Sequence, residues 1–195
     1  MAARMVRDMI FNIQRIFRSL VKNTRAMATV ELAMAMPVLM GLLLTGVEVT
    51  RYVLLNQKME RTSATVADLV SQAESLTESD MTNLFQITTL SMDPFPFMST
   101  GQVVVSSVSV FGGAAPIINW QRTYGSGSGT SAVGSEGGAA SLPSGMTLND
   151  GENVIVSEVF YDYQPMLVEK VMKPANLYSY AVYRPRFGTL SGIAP

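Results

Sequence analysis

The chain has 195 residues, a formal net charge of -1, and neither cysteine nor histidine. This length accommodates one modest domain beside a membrane segment. Without cysteine a disulfide or a thiolate metal site is impossible, and without histidine the commonest general base and metal ligand are missing. We therefore expect no catalytic residue, no cofactor site and no metal site, and a protein that is not an enzyme.

The charge is distributed unevenly along the chain. Residues 1–26 carry six basic residues against Asp8, a net charge of +5, whereas the rest of the chain has eight basic and 14 acidic residues, a net charge of -6. Basic residues beside an apolar segment favour the cytoplasmic side of a membrane, and the acidic remainder argues against nucleic acid as a partner. Residues 1–26 are predicted to be a basic, amphipathic cytoplasmic leader.

A transmembrane helix is predicted over residues 27–50. The uncharged run from Leu32 to Val47 is too short to span comfortably; the longer run from Ala26, about 33 Å as a helix, spans a hydrocarbon core of about 30 Å but includes Glu31. A carboxylate in mid-membrane costs about 2.5 kcal/mol or more. Either Glu31 marks the helix start, where negative charge is favourable, or it meets a positive partner.

The residues around this glutamate carry a family resemblance. Arg25-Ala26-Met27, between a basic leader and an apolar helix, resembles the processing site of type IV prepilins. The sequence ATVELA at residues 28–33, followed by Pro37, resembles the N-terminal signature of the TadE/TadF family of pseudopilins, which serve the tight-adherence machinery that builds Flp-type pili. Leucine follows the glutamate here, where that family more often has an aromatic residue.

The resemblance implies a role for each of these residues. A prepilin peptidase would cleave between Ala26 and Met27, and Glu31 would then meet the freed amine of a Met27 on a neighbouring subunit. Pro37 would kink the helix, because it removes a backbone donor inside the span. The alternative is a leader that is not cleaved and lies on the membrane surface.

The same resemblance implies function, partners and location. Residues 151–165 and 183–187 resemble the family's periplasmic strands. The implied function is a minor pilin or pseudopilin of tight-adherence pili, in the bacterial inner membrane with the C-terminal domain periplasmic. Its implied partners are other pilin and minor pilin subunits, a prepilin peptidase, the pilus assembly platform and membrane lipid. The alternative is an unprocessed, single-pass anchored periplasmic binding or scaffold domain.

The predicted fold is α+β and pilin-like. Its long N-terminal helix, half transmembrane and half soluble, packs on a small antiparallel sheet within a periplasmic domain of residues 51–195. Thr77 and Asp80 have the spacing of a capping box, which predicts a second helix. The predicted elements are helices over 27–75 and 78–91, and strands over 102–111, 117–122, 153–163 and 177–183.

Three further features have simple interpretations. The Gly- and Ser-rich residues 125–145 are predicted to be a flexible surface loop. Glu48 and Arg51, at i and i+3, are expected to form a solvated or interfacial pair without a function of its own. Tyrosines on the last two strands are interpreted as sheet packing, or alternatively as an exposed contact surface for other pilins or for a substrate. They are Tyr161, Tyr163, Tyr178, Tyr180 and Tyr183.

Overall fold

A computed structural model describes residues 24–143, 145–167 and 172–194, and the chain divides into two compact units between Val47 and Glu48. Most of the predicted leader, residues 1–23, lies outside the described residues. The described helices are α1 (Thr24–Ser71), α2 (Glu78–Met92) and α3 (Phe97–Thr100). The strands are β1 (Gly101–Ser109), β2 (Ile117–Gly125), β3 (Asn153–Tyr163) and β4 (Ala175–Tyr183).

The first helix, α1, is 48 residues long and includes Pro37. The large apolar side chains between Met27 and Val47 are exposed almost throughout. Among the described helices α1 alone is long and apolar enough to cross a membrane, which is compatible with a single-pass anchor. The predicted kink at Pro37 stays a prediction, since α1 is continuous as a helix across this residue.

The second helix begins with the predicted capping box. The Asp80 backbone N–H donates to Thr77 Oγ1 at 3.1 Å, and the Thr77 backbone N–H donates to Asp80 Oδ2 at 3.0 Å. These two bonds satisfy donors that the first helical turn leaves free. The hydrogen bonds from Thr77 hold the pKa of Asp80 below its ordinary value. The sequence pattern did not predict the short helix α3.

The four strands form one antiparallel sheet in the order β2-β1-β3-β4. All four predicted strands are confirmed, with ends that differ by at most three residues. A register shift between Ser107 and Val108 marks an irregularity in the pairing of β1 with β2. The α+β arrangement of a long helix on a small antiparallel sheet is likewise confirmed.

One face of the sheet packs on the part of α1 that follows Glu48. The helix contributes Leu55, Met59, Val66 and Val70 to a core whose sheet residues are Val103, Val105, Trp120, Ile155 and Val159. Burying each such side chain contributes about 1.5–3 kcal/mol. This packing holds the part of α1 that follows Glu48 in a fixed position on the sheet.

The opposite face is covered by the connection between β2 and β3. Val133 from this connection is buried with Val108, Ile118 and Val156 of the sheet. Gly134 has a φ of 127°, and a Cβ there would lie 3.1 Å from the Ala139 carbonyl oxygen, so glycine suits this turn. The flexibility predicted for residues 125–145 stays a prediction, although the described part of the loop makes these specific contacts.

Candidate assembly site on the long helix

The predicted site residues all lie near the start of α1. Ala26 and Met27 are its third and fourth residues, so the predicted cleavage site falls inside helix, and Met27 is partly exposed. Glu31 follows Met27 by four positions, which places the two residues as neighbours on one helix face. The structure thus brings the predicted cleavage and assembly residues together on a single turn.

Glu31 itself is exposed. Within the described residues no ion pair or hydrogen bond involves its carboxylate. Apolar side chains surround it along the helix: Leu32 is 59 % exposed and Met34 is 73 % exposed. A lone carboxylate on an apolar, lipid-length helix is costly until it is paired, so this position can attract a cation from outside the chain.

A second glutamate on α1, Glu48, forms a site that the sequence did not predict. Its side chain is fully buried at 0 % exposure. Oε1 accepts hydrogen bonds from the Tyr163 hydroxyl and from Arg51 Nη1, the latter at 3.3 Å. Oε2 accepts from the backbone N–H groups of Met166 and Leu167, at 3.1 and 2.9 Å. The Arg51 contact was predicted; the prediction that Glu48 is solvated is wrong.

These four donors explain how a carboxylate can be buried at this position. An isolated buried charge is strongly unfavourable, whereas one that is hydrogen-bonded and paired is tolerated. Burial and the hydrogen bond to Glu48 raise the pKa of Tyr163 to about 12, so its hydroxyl stays protonated and donates. Tyr52 packs edge-to-face on the Tyr163 ring at 5.2 Å between centroids. Glu48 therefore ties α1 to the end of β3.

A third glutamate, Glu158 on β3, ties the Gly- and Ser-rich loop to the sheet. It is fully buried and accepts hydrogen bonds from the Ser131 hydroxyl, the Ala132 backbone N–H at 2.8 Å and the Tyr178 hydroxyl at 3.0 Å. Burial, together with the Glu158 charge, raises the pKa of Tyr178 above its ordinary value. Among the described residues no three acidic side chains are grouped to hold a metal ion.

The tyrosines of β3 and β4 divide between the two predicted roles. Tyr161 and Tyr163 are buried in the core. On the edge strand β4, Tyr178, Tyr180 and Tyr183 are each between a third and a half exposed, and Tyr178 stacks on Tyr180 at 5.9 Å. Sheet packing describes the β3 pair. On β4, Tyr178 and Tyr180 form an exposed aromatic pair on one face of the sheet, and Tyr183, five residues after Tyr178, belongs to the other face.

Comparison with known protein families finds a similarity over most of α1. Residues 26–68 match the family described as TadE-like protein. The match includes every predicted site residue and extends through Glu48 into the soluble half of the helix. No curated protein and no solved structure matches the chain.

Proposed function

We propose that this chain, which carries the TadE-like segment of the tight-adherence pilus system over residues 26–68, acts as a minor pilin or pseudopilin. In this role it is a structural component in the assembly of tight-adherence pili. The match supports association with that pilus system, and the position of Glu31 supports the finer role.

The observation that carries the proposal is Glu31, exposed on an apolar helix with no partner among the described residues. Cleavage between Ala26 and Met27 frees an amine one helical turn away. The Glu31 carboxylate of one subunit then pairs with the Met27 amine of its neighbour. In a low-dielectric environment this pairing offsets the cost of burying the two charges. Docking is therefore favoured only when the Glu31 carboxylate and the Met27 amine are both present.

The proposed setting is the bacterial inner membrane. The basic leader lies in the cytoplasm and the sheet domain in the periplasm, in keeping with the charge asymmetry of the sequence. The proposed partners are other pilin and minor pilin subunits, the pilus assembly platform, membrane lipid and a prepilin peptidase that acts on this chain as substrate. Exposed aromatic residues on β4 are available for contact with such subunits.

The deciding experiment compares two substitutions at Glu31. Glu31→Gln removes the charge while preserving the side-chain size, and Glu31→Asp preserves the charge. We expect Glu31→Gln to abolish pilus formation and co-isolation of partner pilins, with partial recovery in Glu31→Asp. Normal pili and normal co-isolation in Glu31→Gln, at equal protein levels in the membrane, contradict the docking mechanism. Cleavage predicts a mature chain that begins at Met27, and measurement of the intact mass tests this directly.

A second candidate, an unprocessed anchored binding or scaffold domain, is favoured by one surface feature. An open groove of about 640 Å³ lies between the loop residues Pro143 and Met146 and the strand residues Tyr180 and Val182. This volume is in the range of ligand sites, although such sites are usually more enclosed. An intact leader on the mature chain, together with assembly that is insensitive to Glu31→Gln, favours this second function.

A further inference from the structure

The turn that follows β3 exposes two large apolar side chains. Met166 is 69 % exposed and Leu167 is 44 % exposed, while their backbone N–H groups are both bonded to Glu48. Side chains of this kind are among those most often buried in folded proteins. The two backbone N–H groups of the turn are thus satisfied internally, while its side chains are exposed.

Glu48, to which this turn is bonded, stands at the end of the apolar run in the sequence. Glu48 directly follows Val47, the last residue of the uncharged apolar run. The next two turns of α1 remain apolar on the surface as well: Val49, Val53 and Leu54 are 46, 47 and 40 % exposed. The turn is therefore fixed, within hydrogen-bond distance, to the residue at which the apolar run ends.

We propose that the Met166–Leu167 turn is a second membrane contact, which inserts into the lipid interface where the apolar helix leaves the bilayer. This inference rests on the membrane anchor of the proposed function. Glu48 is a positioning residue, because its carboxylate satisfies two backbone donors that would otherwise require water. Backbone N–H groups without a partner are strongly unfavourable in an apolar environment, so this arrangement suits a turn that meets lipid.

The connection between β3 and β4, residues 164–174, carries Lys170 and Lys173 against Glu169, a net charge of +1 that suits an anionic lipid surface. Lys173, which is exposed, lies two residues before Ala175, and Ala175 pairs with Tyr163 in the sheet. Lys173 and the turn therefore belong to the same end of the sheet. A segment that combines exposed apolar side chains with lysine is typical of a membrane interface, where the ammonium group meets anionic headgroups.

The natural absence of cysteine makes a direct test possible. Met166→Cys and Leu167→Cys, each made separately in this 195-residue chain, would carry an environment-sensitive fluorophore, with Phe111→Cys as the matched control. Phe111 is also exposed, at 49 %, but follows β1 at the end where Ser109 pairs with Asn153, about 30 Å along the sheet from Tyr163. The chain would be reconstituted into vesicles of phosphatidylethanolamine and phosphatidylglycerol.

The expected result is a loss of fluorescence with brominated lipid for the labels at 166 and 167, and none for the label at 111. Equal quenching by aqueous iodide at 111, 166 and 167 overturns the proposal. Protection from iodide that arises only when partner pilins are added overturns it as well, in favour of a protein contact. The Glu31 assembly assay separates the two proposals, because lipid quenching does not depend on subunit docking.

Discussion

Two glutamates on α1 have opposite surroundings. Glu31 is exposed on the apolar half of the helix, with no partner for its carboxylate among the described residues. Glu48, 17 positions later, is fully buried and accepts hydrogen bonds from four donors of its own chain. Residue type alone does not distinguish them. One carboxylate is thus engaged by donors of its own chain, whereas the other makes no hydrogen bond or ion pair with the described residues, and the proposed docking depends on this difference.

The largest effect is expected when Glu48 is removed. Glu48→Ala leaves the Tyr163 hydroxyl and the Met166 and Leu167 amides without their acceptor, and Arg51 without its partner. Arg51 is 31 % exposed and can turn to water, but each of the other three donors left without its acceptor costs about 1–3 kcal/mol, so we expect a total of about 3–5 kcal/mol. We expect the free energy of unfolding to fall by that amount. Trp120, the sole tryptophan and almost fully buried, reports unfolding by its fluorescence in denaturant titrations in detergent.

The matched control is Glu60→Ala, an exposed glutamate of the same helix. Surface substitutions of this kind usually change stability by less than about 0.5 kcal/mol. If the Glu48 and Glu60 variants unfolded at the same denaturant concentration, the four bonds to Glu48 would not stabilise the domain.

A smaller loss is expected at Glu158. Glu158→Ala removes the acceptor of Ser131, Ala132 and Tyr178, but the two hydroxyls lie near the surface and can turn to water. We expect a loss of about 2 kcal/mol, the range for a hydrogen bond to a charged group. Hydrogen exchange at the Ala132 amide should accelerate before global unfolding. Unchanged exchange there would show that the loop is held by Val133 and its neighbours instead.

A still smaller loss is expected for Tyr163→Phe. The substitution removes one of the four bonds to Glu48 while three remain, so we expect about 1.5 kcal/mol. In a double-mutant cycle the Glu48→Ala and Tyr163→Phe effects should not add, because both remove the same bond. Additive effects would mean that the two side chains contribute independently.

The same hydrogen bond has a defined pH dependence. Folding raises the pKa of Tyr163 from 10.0 to about 12, so the protonated hydroxyl is the form that the fold stabilises. This contribution to stability is complete below pH 10 and is lost as pH rises towards about 12. Unfolding titrations of the native chain and of Tyr163→Phe should therefore converge across that interval. A constant difference across it would contradict the assignment.

What the sequence could predict was local. Thr77 and Asp80 of the capping box are three positions apart, and their geometry follows from that spacing alone. The alternating valines and serines of β1 likewise specify a strand. The Glu48 site depends on Tyr163, which is 115 residues away in sequence. No periodicity encodes such a contact, so the sequence revealed only the Arg51 partner at i+3. A charged residue directly after the apolar run was the one available signal.

The smallest effect on stability is expected at Glu31, and it completes the comparison with Glu48. Because its carboxylate makes no hydrogen bond or ion pair with the described residues, Glu31→Gln should leave the free energy of unfolding within about 0.5 kcal/mol of the native value. The Trp120 unfolding assay used for Glu48 measures this directly. If the Glu31→Gln chain is as stable as the native protein but fails to dock, Glu31 acts in assembly and not in folding. A large loss of stability would instead make Glu31 a structural residue like Glu48, and its effect on assembly would then be indirect.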